Sequence, residues 1–330
     1  MTFLDMALAN LASAPVLFFL LGIAATLAGS TLSLPEGAAK MLSIYLMMAI
    51  GFKGGAALAG GEGGGHLPLI LLAGLALSAL MPLIGERYLR VLSRVSPIER
   101  AAIAGHYGSI SIVTFVAATS ALAALGIAHD PGMVAVAAAM ETPAILTALI
   151  LVYRARAAAG KGEGISWKPL LREVFLNGAI VILFGSFLIG LATGKPGLAT
   201  VKPFLVDPFN GALCLFLLDL GAQAAKGLRT GWKELTPRLL SFALLMPVTG
   251  VVLAGGVAFA AGLDAGNTML LMTLAASASY IAVPAAMRFA VPEARPAMSL
   301  SLSLGLTFPF NILIGIPLYV AIAGWLAART

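Results

Sequence analysis

Ten mainly apolar stretches recur along the 330-residue chain, most of them near the roughly 20 residues a helix needs to cross a bilayer. They fall at about 13–29, 36–58, 67–84, 100–126, 132–153, 174–194, 207–227, 238–262, 267–290 and 298–325. The pattern predicts an all-α membrane protein of ten transmembrane helices. The fourth, ninth and tenth stretches are rich in Ser, Gly or Pro, so hydropathy alone marks them weakly. Composition agrees with the pattern. The chain is 60% hydrophobic and 10% charged, against about 25% charged for a soluble domain, so lipid must be its main solvent.

The loops test the count. If connections alternate between two sides, all but Lys53, Lys195, Lys202 and Arg329 of the 20 Lys and Arg fall on one side. Cytoplasmic loops carry such an excess. Both termini are therefore expected outside, in a multi-pass protein of the cell's inner (plasma) membrane. The net charge of +6 has the same source, and nucleic acid is not expected as a partner.

The single cysteine, Cys214, lies in an apolar run and reads as an inert core thiol. No Cys/His cluster has metal spacing, and no glycine loop with a lysine cradles phosphate. Neither a cofactor nor a metal other than sodium is expected, and energy must come from ion gradients or a partner. Residues 1–12 lack the basic n-region of a signal peptide, so the N-terminus reads as retained.

Sliding the chain by 170 residues lays Ala49-Ile-Gly-Phe-Lys53 on Asp219-Leu-Gly-Ala-Gln223, and residues 105–115 on 275–285. A slip of four then pairs Met140-Glu141-Thr142-Pro143 with Leu306-Thr307-Phe308-Pro309. The division expected is 1–158 for a first five-helix repeat, 159–172 for a cytoplasmic linker and 173–330 for a second. Five is odd, so the second repeat enters the membrane from the opposite side, the plan of many secondary transporters.

Polar groups in lipid are costly unless they face protein, water or ligand. In span four, Gly105-His106-Tyr107-Gly108-Ser109-Ile110-Ser111 interrupts an apolar helix, with Thr114 a turn further on. Span nine has Ser277, Ser279, Tyr280 and Pro284. Span five has Glu141-Thr142-Pro143, and span ten has Thr307-Phe308-Pro309 and Asn311. These four segments are expected to be interrupted, freeing N–H groups for an anion and carbonyls for Na⁺. Gly108, Ser109, Ser111, Ser277, Ser279 and Tyr280 are the expected substrate-binding residues. Glu141, Asp219, Thr114, Thr307 and Asn311 are the expected sodium ligands. His106 is placed nearer the cytoplasmic half, as open to a packing role as to a functional one. Lys53 reads as a snorkelling anchor, and residues 60–65 as a flexible external link.

Leu34-Pro35-Glu36, Ala49-Ile50-Gly51-Phe52-Lys53-Gly54-Gly55 and His106-Tyr107-Gly108-Ser109-Ile110-Ser111 resemble the SbtA family of sodium-dependent bicarbonate permeases, as do Met140-Glu141-Thr142-Pro143 and residues 277–284. The resemblance runs over nearly the whole chain. It implies ten spans divided into a core and a gate domain, a homotrimer, and Na⁺-driven bicarbonate uptake. A soluble cytoplasmic partner similar to PII signalling proteins is also among its implications.

The reading is a secondary transporter and not an enzyme: sodium-dependent bicarbonate uptake by alternating access. The main alternative is a sodium- or proton-coupled carrier of another small organic anion. Two other classes are weaker. An intramembrane hydrolase would use Ser109 with His106, three residues away. A sensor or scaffold would bind a cytoplasmic regulator without transporting.

Overall fold

The computed structural model describes residues 8, 11–32, 34–61, 64–160, 172, 176, 178–231, 235–280, 283, 284, 287, 291 and 293–329. Most of the 159–172 linker, with Lys161 and Lys168, lies outside these residues, as do Glu62, Lys233 and Arg288.

The described residues form helices throughout. They are α1 (Ala14–Leu27), α2 (Glu36–Ala59), α3 (Leu67–Leu92), α4 (Pro97–Gly108), α5 (Ile112–Ala124), α6 (Met133–Ala158), α7 (Gly178–Leu205), α8 (Phe209–Gly231), α9 (Pro237–Ala260) and α10 (Ala265–Ala276). The last, α11, runs from Pro296 to Ala327 with π turns at Ser303–Thr307 and Asn311–Gly315. Eight spans among the described residues are long and apolar enough to cross a membrane, Pro97–Ala124 counting as one. The other two expected spans are represented by the shorter α1 and α10.

Three expectations about continuity need correction. Span five is not interrupted at Pro143, because α6 continues through it. The Ser78 hydroxyl of α3 takes the N–H of Ala144 (3.2 Å) and donates to the carbonyl of Met140, bridging the gap in the ladder. Span ten is likewise not broken. Around Pro309 the ladder widens into the two π turns and carries on. Span six, expected to end at 194, turns at Gly194 (φ 60°) and continues as helix to Leu205. A left-handed φ suits only glycine there. The returning segment is anchored on α2, where Tyr45 Oη donates to the Phe204 carbonyl (2.6 Å) and the two rings meet edge-on.

Helices pack closest where glycine removes the side chain. A Cβ on Gly51 of α2 would stand 2.5 Å from the Leu183 carbonyl of α7, and one on Gly221 of α8 would stand 2.1 Å from the Phe19 carbonyl of α1. These two crossings join α1 to α8 and α2 to α7. The remaining helices form a second group, in which α3 packs on α4 and α6, and α9 on α10. Ion pairs tie its ends. Glu86 meets Arg90 (3.0 Å) and Arg100 (3.3 Å), Arg156 meets Glu293 (2.7 Å), and Glu99 accepts the main-chain N–H of Arg295 (3.1 Å).

A broken-helix crossing with a buried carboxylate

Span four breaks where serine replaces the apolar pattern. After Gly108 the chain is extended through Ser109 and Ser111, and Ser111 caps α5 by accepting the Thr114 N–H (3.2 Å). Serine favours such caps because its hydroxyl replaces a missing ladder partner. Span nine breaks in the same way. α10 ends at Ala276, Ser277 is extended, and its hydroxyl donates to the Leu274 carbonyl (2.9 Å). Val283, Pro284 and Met287 are helical again.

The two breaks bond directly to each other. Ser279 N–H donates to the His106 carbonyl (2.7 Å), and His106 Nδ1 lies 2.7 Å from the Ser279 carbonyl, which can only accept. His106 therefore carries its proton on Nδ1. A third link joins Ser111 N–H to Ser277 Oγ (2.9 Å). Ser111 Oγ also accepts the Thr114 hydroxyl (2.9 Å) and donates to Tyr280 Oη (3.3 Å).

Beside this junction is a cavity of about 10 Å³, lined by Ser111, Glu141, Ser279 and Tyr280 with Met47, Ile110 and Ile112. That is room for about one water or one small ion. Glu141 is buried, and its Oε2 has no hydrogen-bond partner among the described residues. A carboxylate held away from water without a cation or donors costs on the order of several kcal/mol. The chemistry of the lining, a carboxylate with hydroxyl oxygens, suits a hard cation.

The other expected site residues divide. Ser277 and Thr114 bond to Ser111. Asn311 lies close by, its Nδ2 donating to the last carbonyl of α10, Ala276 (3.0 Å), and its Oδ1 accepting from Tyr319 (2.6 Å). Thr307 donates to the Ala243 carbonyl (2.9 Å) and accepts from Tyr107 (2.9 Å), so it clamps α11 to α9 and α4. The Ser109 hydroxyl is buried without a partner among the described residues and makes no bond to His106, which leaves the hydrolase reading without its dyad. Gly108 has a packing reason, since a Cβ there would stand 2.4 Å from the Pro82 ring. Asp219 does not line the cavity. Its carboxylate accepts Leu34 N–H (3.0 Å) and Gln223 Nε2 (2.5 Å).

Sequence reasoning passed over two residues. His106 reads as part of the interrupting run, as open to packing as to function, with nothing local to show that it bonds to Ser279. Ser78 sits alone in an apolar run. The only signal for it was Pro143, which needs some partner for the ladder it interrupts.

Buried broken helices crossing inside a polytopic membrane protein, beside an ion-sized cavity where a glutamate and hydroxyl side chains share the lining with apolar ones, follow the plan of a secondary transporter. Residues 14–324 match the Na⁺-dependent bicarbonate transporter superfamily. The chain belongs to that family. No curated protein matches it.

Proposed function

We propose that the chain carries bicarbonate inward with Na⁺ by alternating access, the ions meeting where α4, α5 and α10 cross. The observation that carries this reading is Glu141, buried with one carboxylate oxygen unpartnered among the described residues, lining one cavity with Ser111, Ser279 and Tyr280 beside the bonded breaks. Glu141 and the neighbouring hydroxyls hold Na⁺. The anion binds against the freed N–H groups at the α5 N-terminus, whose dipole favours negative charge. Ser109, Ser111, Ser277 and Ser279 supply hydroxyls to it. The cavity has room for the cation alone, so the anion enters only as the breaks move apart.

The inverted repeat is supported by close packing. Gly51 and Gly221 stand 170 residues apart, and each rests on main-chain atoms of the first helix of the other half. The linker contacts repeat as well: Leu34 bonds to α8 and Phe204, again 170 residues on, bonds to α2. On this plan α1, α2, α7 and α8 form the gate domain and the other helices the core domain, with both termini outside. The homotrimer and the PII-like partner belong to the same proposal, and the mass of the purified protein in detergent tests the first.

A monovalent anion entering a negative-inside cell is opposed by about 2.3 kcal/mol per 100 mV, which one accompanying Na⁺ cancels. Uptake of labelled bicarbonate into proteoliposomes is expected in sodium buffer and not in choline. Equal uptake in the two buffers would remove the coupling.

A further inference from the structure

A second, much larger cavity of about 500 Å³ lies away from the crossing. It is a crevice between two pairs of helices. Val16 of α1 and Cys214 and Leu217 of α8 form one wall, and Ala117 and Ala121 of α5 with Val320 of α11 form the other. Its volume is that of on the order of ten waters. The α1 N-terminus and the α5 C-terminus both border it, on the side away from the basic loops. One wall is locked by the close α1–α8 crossing. The other carries α5, which Ser111 caps, and α11.

One turn beyond Val16 stands Phe19. Its ring meets Phe308 of α11 edge-on, with centroids 5.4 Å apart, and Phe308 meets Tyr280 edge-on at 5.3 Å. Phe19 and Phe308 are 0% and 1% exposed. Tyr280 lines the small cavity with Glu141. The three rings form a series that starts one turn from Val16 in the crevice wall and ends at the small cavity, and an apolar constriction can block ions by excluding water.

We propose that the crevice is the outer access route to the crossing and that Phe19, Phe308 and Tyr280 are the barrier at its floor, a proposal that rests on the crossing being the ion site. Phe308 is the ring on which both others lean. Its removal opens the route while the helices that hold the ions stay in place.

The chain's single cysteine supplies the probe. Cys214 lies in the crevice wall, so a membrane-impermeant charged methanethiosulfonate added outside intact cells is expected to modify it and cut sodium-dependent bicarbonate uptake at least fivefold. The Cys214→Ala chain loses none of its own uptake on the same treatment. Phe308→Ala is expected to pass bicarbonate down its own gradient without sodium, and Phe308→Tyr to remain coupled. No modification from outside, modification that leaves uptake intact, or a fully coupled Phe308→Ala carrier would each overturn the route. Absence of sodium-dependent uptake in the untreated chain is a different result and removes the underlying reading instead.

Discussion

His106 and Ser279 hold each other by two bonds of 2.7 Å, Ser279 N–H to the His106 carbonyl and His106 Nδ1–H to the Ser279 carbonyl. One residue belongs to the first half of the chain and the other to the second, and each lies at a helix break. The pair fixes how the breaks face each other, and with it where Ser111 and Tyr280 stand relative to Glu141.

This geometry discriminates between substitutions at His106. His106→Ala leaves the buried Ser279 carbonyl without a donor, at about 1–3 kcal/mol. His106→Asn puts an N–H close to the position of Nδ1 and is expected to recover most of that loss, while His106→Gln reaches too far and is not. Thermal unfolding in detergent ranks the three. A stable alanine variant, or asparagine and glutamine behaving alike, would count against the assigned bond.

Ser78 offers a comparison with Ser43, since both hydroxyls are buried. Ser78 repairs the α6 ladder at Pro143, two residues from Glu141, whereas Ser43 Oγ has no partner among the described residues. Ser78→Ala is expected to lower stability by about 1–3 kcal/mol, because the Ala144 N–H and the Met140 carbonyl lose their partner. It should also weaken sodium activation as Glu141 shifts. Ser43→Ala is expected to be neutral or slightly stabilising. Denaturation midpoints and sodium titrations of uptake measure both effects.

Sequence reasoning located breaks where side chains themselves supply the new partners. Ser111 and Ser277 cap the helices beside them, and clusters of Gly and Ser announce such caps. It failed at Pro143 and Pro309, because a proline tells of a lost bond but not of its repair. Ser78 comes from a distant helix, and the π turns of α11 absorb the second proline within the same helix. Span six also reads as ending at 194, and Pro196, Gly197 and Pro203, poor helix formers, follow that point. Packing on Tyr45 of α2 overrides that tendency.

The proposed repeat predicts equal responses at Gly51 and Gly221. A methyl at either position meets a carbonyl oxygen of the opposing helix, which cannot swing aside as a flexible side chain would. Gly51→Ala and Gly221→Ala are each expected to destabilise by about 1–3 kcal/mol, the usual range for overpacking. Gly221→Ala should also slow uptake, because the α1–α8 crossing it alters carries one wall of the crevice. Unfolding in detergent gives the comparison, and initial uptake rates check the second effect. A large loss of stability at one glycine and none at the other would break the symmetry between the halves.

Glu141 carries the sharpest test of coupling. Glu141 is the acidic residue lining the small cavity, and one of its carboxylate oxygens has no donor among the described residues. Glutamine has the same shape and removes the charge, so Glu141→Gln should fold normally while losing the strongest attraction for Na⁺. The sodium concentration for half-maximal uptake is expected to rise at least about tenfold, equivalent to ~1.4 kcal/mol. Glu141→Asp keeps the charge but draws it back by a methylene, so it should fall between wild type and glutamine. Titrating bicarbonate uptake with sodium at fixed pH measures all three. An unchanged sodium requirement in Glu141→Gln would move the cation elsewhere. If that variant instead keeps uptake driven by a proton gradient and loses only the sodium-driven part, a proton-coupled anion carrier replaces the reading proposed here.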